Sequence, residues 1–204
     1  MLADRVNGVL RRVPPWVIYL LGALPFMVLV AQVVSGNLGA DPVKTLERSL
    51  GAYGLKFMVA TLCVSPLRWT TKISLLRFRR ALGVLTFAYV ALHLSVWVTL
   101  DLQFRWAEIG ASILKRPYII VGFLAFLMLL PLAITSNNAS VRRLGAKTWQ
   151  RLHMLIYPAA VLGAVHFVWL TKTWRTEPFV YLSVVGLLLA WRATRTLRRR
   201  LAQA

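Results

Sequence analysis

The chain has 204 residues, 58% of them apolar, with eight Trp and a mean hydropathy of +0.65. Long apolar runs recur with only basic or short polar breaks between them, which excludes a soluble domain and describes a polytopic membrane protein. The net charge of +19 does not point to nucleic acid, because it sits in short blocks between the runs, where the positive-inside rule puts it.

Residues 1–15 are short and basic, with Arg5, Arg11 and Arg12. Pro14-Pro15 opens a first span over about 16–34. That run is too long, and its flanks too poor in small-residue cleavage signals, for a removable signal peptide. Pro25 is expected to kink it, with a neighbouring helix covering the freed carbonyl. Ser35 to Pro42 is a turn signal. Asp41 and Pro42 read as N-cap and first residue of a short surface helix through Leu50. Five further spans are expected over about 51–67, 81–100, 118–135, 149–171 and 178–191, the second ending at Pro66. Cys63, the single cysteine, lies in an apolar run, cannot form an intrachain disulfide and reads as packing. The breaks hold Arg68, Lys72, Arg77, Arg79 and Arg80, then a mixed segment at 101–117, then Arg142, Arg143 and Lys147, and a short loop at 172–177. The tail holds Arg192, Arg195, Arg198, Arg199 and Arg200.

Six spans put both termini on one side. Seventeen Lys and Arg fall on that side. The other eight are Lys44, Arg48, Lys56, Arg105, Lys115, Arg116, Lys172 and Arg175, so both termini are read as cytoplasmic. No Gly-x-Gly-x-x-Gly, Walker loop or Cys-x-x-Cys occurs, and no loop is long enough to form a domain of its own. The expected fold is all-α: residues 1–204 as one six-transmembrane-helix bundle with no soluble domain.

The fifth span carries two of the three histidines, His153 and His166, related as i and i+13. On a straight helix that is about 20 Å along the axis and roughly 140° around it, and Pro158 between them can change the angle. One metal cannot take both. Depth decides the pairing. His93 follows Arg80 at i+13 and His166 follows Arg151 at i+15, each on a span that enters from the cytoplasmic side. Both are therefore in the outer half, while His153 follows Arg151 at i+2, near the inner edge. His93 with His166 satisfies the equal depth that two axial ligands of one haem need. Such ligation leaves no open position for oxygen and suits electron transfer. The competing reading of an intramembrane histidine is a helix–helix hydrogen bond; two at matched depth, with few other intramembrane ionisable groups, favour a shared centre.

His153 has no depth-matched histidine partner, since positions i−13 and i−14 from His93 hold Arg80 and Arg79. It can ligate a second, inner haem, contact a flavin at the cytoplasmic edge, or bond backbone or a headgroup. Arg77, Arg79, Arg80 and Arg151 share its depth and can meet haem propionates or a flavin phosphate; lipid phosphate contact is the simpler use of each. Trp97, Trp106, Trp169 and Trp174 read as an interfacial belt. Gly83 and Gly163 can admit a flat macrocycle or serve helix packing.

Six spans with His153 and His166 on the fifth and His93 on the third resemble the ferric reductase-like transmembrane domain, shared with NADPH oxidases. Those proteins carry a second histidine on the third span, where this chain has Arg. More closely, the chain resembles the MsrQ (YedZ) family of haem-binding membrane subunits. The matching stretches include Asn37-Leu-Gly-Ala-Asp-Pro-Val43, Leu55-Lys-Phe-Met-Val-Ala-Thr-Leu62, Arg79-Arg-Ala-Leu-Gly83, Ala91-Leu-His-Leu94, Arg116-Pro-Tyr118, Trp149-Gln-Arg-Leu-His153 and His166-Phe-Val-Trp169. The resemblance implies a subunit of the bacterial inner membrane carrying b-type haem and FMN. His93, His153 and His166 would be the ligand set, and the flavin site carries over no residues. It further implies electrons taken from the quinone pool or a cytosolic flavin reductase. They would pass to MsrP, a periplasmic molybdopterin enzyme that reduces methionine sulfoxide in oxidised proteins. Catalysis on methionine sulfoxide would then lie on the partner. Two other readings compete: a ferric or quinone reductase acting directly on a small substrate, and a haem-free membrane anchor.

Overall fold

The computed structural model describes residues 2–171 and 175–202, all in helices, turns and short connections. The expected loop residues Lys172 and Trp174 lie outside them. The helices are α1 (Leu2–Arg12), α2 (Trp16–Val34), α3 (Pro42–Thr71), α4 (Arg79–Val96) and α5 (Trp106–Lys115). They continue as α6 (Pro117–Ile134), α7 (Asn138–Leu144), α8 (Ala146–Leu152), α9 (Ile156–Leu170) and α10 (Thr176–Leu201). Among the described residues five segments are long and apolar enough to cross a membrane: 16–34, 42–71, 76–101, 117–134 and 146–170.

The sixth expected span forms the first part of α10. Its apolar stretch is bounded by Glu177 and Arg192, which leaves about 21 Å of uncharged helix at 1.5 Å per residue, short of the ~30 Å hydrocarbon core.

Two expected boundaries are corrected. Asp41 caps α3 as anticipated, its carboxylate accepting the Lys44 N–H at 3.0 Å with Pro42 at the first helical position. The helix does not stop at Leu50, however, but runs unbroken for 30 residues to Thr71. Nothing in the chain between Leu50 and Gly51 interrupts the backbone ladder, and Pro66 sits buried inside the helix rather than ending it. The fifth span, by contrast, is not one helix. It breaks into α8, a 3₁₀ turn at His153–Leu155, and α9. Pro158 has no N–H to give the Met154 carbonyl and its ring crowds that carbonyl, so the preceding turn tightens.

The contacts fix the directions. On α3 and α4, Gly51 meets His93 and Gly54 meets Val90, an antiparallel pair. On α6 and α9, Tyr118 meets His166, while Thr135, just past the end of α6, meets His153 just before α9; these two are also antiparallel. α10 runs back along α9, with Phe167 against Tyr181 and Tyr157 against Arg192. α2 runs parallel to α4. The Tyr89 hydroxyl donates to Gly22 O at 2.7 Å and accepts from Phe26 N–H at 3.0 Å. It thus enters the ladder beside Pro25, bridging the next pair along, Phe26 N–H and Gly22 O, and not the Leu21 carbonyl that the proline leaves free.

The core lies where the two pairs meet. Met58, Leu62, Leu129, Leu132 and Ile156 pack around Ala159, Ala160 and Ala164, which are wholly buried. Alanines on that face let α9 approach closely, as small residues do in membrane bundles. At one end of the bundle, the lower end, α1 lies on residues 72–78. Asn7 bonds Lys72 O and Ser74 N–H, and Arg77 caps the Leu10 and Arg11 carbonyls. Cys63, partly buried, lines an open apolar cleft there with Leu10, Ile18 and Phe78.

Candidate functional site

At the upper end, His93 sits in the last turn of α4 and His166 in the last turns of α9. Each ring turns toward the helix antiparallel to its own. His93 Nδ1 is 2.8 Å from the Glu47 carbonyl oxygen on α3, and His166 Nδ1 is 2.7 Å from the Tyr118 carbonyl oxygen on α6. A carbonyl oxygen only accepts, so Nδ1 carries the proton in both neutral rings and each Nε2 keeps its lone pair. Metal-ligating histidines are held in this way, with the second nitrogen donating to a carbonyl.

The two ring centroids are 6.4 Å apart and the ring planes lie 73° from each other. Two metal–nitrogen bonds of about 2.0 Å, with about 1.1 Å from each nitrogen to its ring centre, give about 6.2 Å for imidazoles sharing one metal. The separation of the pair therefore matches that of two imidazoles on one metal. Lys44 ties the same region together, bonding Asp101 at 2.5 Å and Glu47 at 3.3 Å. The link joins the start of α3 to a π-helical turn, Trp97–Asp101, that extends α4.

His153 is held the opposite way. Its Nε2 is 3.0 Å from the Thr135 hydroxyl, which itself lies 2.6 Å from Pro131 O. That hydroxyl has one proton, given to the carbonyl, so it accepts from His153 and Nε2 is the protonated nitrogen. Trp149 stacks on the imidazole at 3.8 Å with its plane 26° away, and its indole N–H donates to Thr135 O at 2.8 Å.

The structure thus brings His93 and His166 together and leaves His153 with Thr135 and Trp149. Among the described residues no three His, Cys, Asp or Glu cluster as a metal site. Of the four arginines, Arg79 and Arg80 lie close enough for their charges to act on His153, with Arg80 also bonding Asn138 at 2.7 Å. Arg77 is turned onto α1, and Arg151 is exposed. Trp106 and Trp169 are exposed, as belt residues are. Sequence reasoning missed the Glu47 and Tyr118 carbonyls, which leave no mark because every residue has one. It also missed Trp149, which its i, i+4 relation to His153 on a helix could have indicated.

Residues 50–164 match the family described as ferric reductase like transmembrane component. Proteins of Brucella anthropi, Brucella ovis and Brucella melitensis, each described as protein-methionine-sulfoxide reductase heme-binding subunit MsrQ, are 43% identical over 180 residues. The match covers 88% of this chain and 81% of theirs. No solved structure matches the chain. The helical membrane bundle, the match to the ferric reductase-like component and the identity over most of both lengths place this chain in the MsrQ family of ferric reductase-like membrane proteins.

Proposed function

We propose that this chain is the haem-binding membrane subunit of a methionine sulfoxide reductase system, and that His93 and His166 hold one b-type haem through Nε2. The observation that carries this is the facing pair: two rings 6.4 Å apart, each with Nδ1 tied to a backbone carbonyl. Haem held by two imidazoles supplies one-electron transfer without oxygen chemistry. The chain's part is positional. The Glu47 and Tyr118 carbonyls fix each tautomer and ring direction, the Lys44 link holds α3 against the end of α4, and the buried alanine face of α9 seats that helix in the core. His153 braces the junction of α6, α8 and α9, with Nε2 donating to Thr135 and no histidine facing it to complete a second centre.

The topology in this proposal has six spans, with α10 as the sixth and both termini cytoplasmic, so the upper end faces the periplasm. Electrons enter from the quinone pool or a cytosolic flavin reductase and leave to MsrP at that end. Arg79 and Arg80 are the basic groups placed to meet a phosphate at the inner edge. FMN has no residue set in this reading.

The test is a reduced-minus-oxidised spectrum of the purified protein with haem quantitation, beside His93→Ala, His166→Ala and His153→Ala. Loss of one low-spin b-type signal in the first two, and its retention in the third, is the expected result. A wild type without haem would leave the membrane-anchor reading in its place. A stoichiometry near two would require an inner ligand and return His153 to that role.

A further inference from the structure

Glu47 and Gly51 stand one helical turn apart at the upper end of α3, and Tyr118 and Gly122 one turn apart at the upper end of α6. In each couple the first residue supplies the carbonyl that binds a histidine, and the second lies against the ring itself. A methyl group added at Gly122 would lie 2.7 Å from Nδ1 and 2.8 Å from Cε1 of His166. One added at Gly51 would lie 3.1 Å from Nδ1 and 3.4 Å from Cε1 of His93. Neither glycine has a positive φ, so left-handed backbone freedom is not what these positions use. They use the missing Cβ. The arrangement is repeated, with 46 residues from carbonyl to ring in one half and 48 in the other.

We infer that Gly51 and Gly122 are positioning residues: two matched notches that let each imidazole reach the carbonyl one turn away and thereby set the ligand strength of the centre held by His93 and His166. The inference rests on the reading of that pair as axial haem ligands. Donation from Nδ1 to a carbonyl raises the basicity of the ligating nitrogen, and a more basic ligand favours the oxidised metal. The ring is rigid and anchored on α9, so a methyl at residue 122 pushes Nδ1 off the Tyr118 oxygen and weakens the bond. The clearance at Gly51 is larger, so the same change there is milder.

The experiment compares Gly122→Ala, Gly51→Ala and Gly186→Ala with the wild-type holoprotein. Gly186 is exposed on α10 with nothing within 4 Å of an added methyl. The midpoint potential and the paramagnetic resonance spectrum of the oxidised centre are read for each. The expected result for Gly122→Ala is a positive shift of about 59 mV, a tenfold loss of preference for the oxidised state. Gly51→Ala shifts less in the same direction, and Gly186→Ala does not shift. Haem bound by both site variants at the wild-type potential would overturn the inference while leaving the haem reading intact. Haem absent from the wild type, or kept by His93→Ala and His166→Ala, would instead overturn the haem reading. Where Gly122→Ala binds no haem, Gly51→Ala decides. Where neither binds it, nitrogen-15 shifts of the haem-free proteins decide: Nδ1–H lost at His166 in Gly122→Ala and kept at His93 supports the notch, and unchanged tautomers at both overturn it.

Discussion

The two ends of the bundle use the same side chain in opposite senses. At the upper end, His93 and His166 each give the Nδ1 proton to a carbonyl and keep Nε2 open. At the lower end, His153 gives the Nε2 proton to a hydroxyl and lies under an indole. The neighbouring helix therefore decides which nitrogen of an intramembrane histidine carries the proton and which keeps its lone pair. A carbonyl on an antiparallel helix selects one tautomer, and a threonine whose own proton is already committed selects the other.

The sharpest way to break this contrast is to remove the rings. His93→Ala or His166→Ala should lower haem content by more than about 100-fold, beyond the ~10–100-fold that loss of a supporting partner brings. His153→Ala should keep the wild-type spectrum, and equal losses at all three positions would erase the distinction. Next in size is Thr135→Val. It takes away the acceptor of a half-buried N–H and should destabilise the protein by about 1–3 kcal/mol in thermal or denaturant unfolding, with haem content unchanged. Trp149→Phe keeps an aromatic face but loses the indole donor to Thr135. About 1 kcal/mol is expected, again without spectral change. Smallest is Lys44→Met at the upper end. The Lys44 side chain is 36% exposed and that of Asp101 22%, so solvent screens the pair and the loss in unfolding free energy should stay below ~1 kcal/mol. A larger cost there would mean that the tie between α3 and α4 carries more of the site than its exposure allows.

Much of this was legible in the sequence, and the reasons are physical. Spans declare themselves because hydrocarbon tolerates only long apolar helices. The pairing of His93 with His166 followed from counting residues inward from Arg80 and Arg151, because helical rise is constant. Asp41 and Pro42 announced the start of α3 through cap chemistry. What escaped were features set by tertiary contact. The continuity of α3 past Leu50 was hidden because a glycine-rich start to an apolar run looks like a fresh beginning. Gly51 and Gly122 were overlooked among the chain's 12 glycines, since small residues are common in membrane helices. Thr135 is joined to His153 across 18 residues and a break in the helix, which no local pattern encodes.

Each half of the chain contributes one member of the upper histidine pair. The first half, its ring and its carbonyl, is complete by Asp101; the second begins only at Pro117. Neither hairpin alone offers two rings, so the pair comes into being late in synthesis, after the last of α9 has entered the bilayer and met α4. A group bound there joins the two hairpins as a staple does and favours the assembled form by mass action. With a haem bound there as proposed, the lifetime of the subunit in the cell would be coupled to its supply, and a shortage would be seen first as disappearance of the protein rather than as an inactive pool.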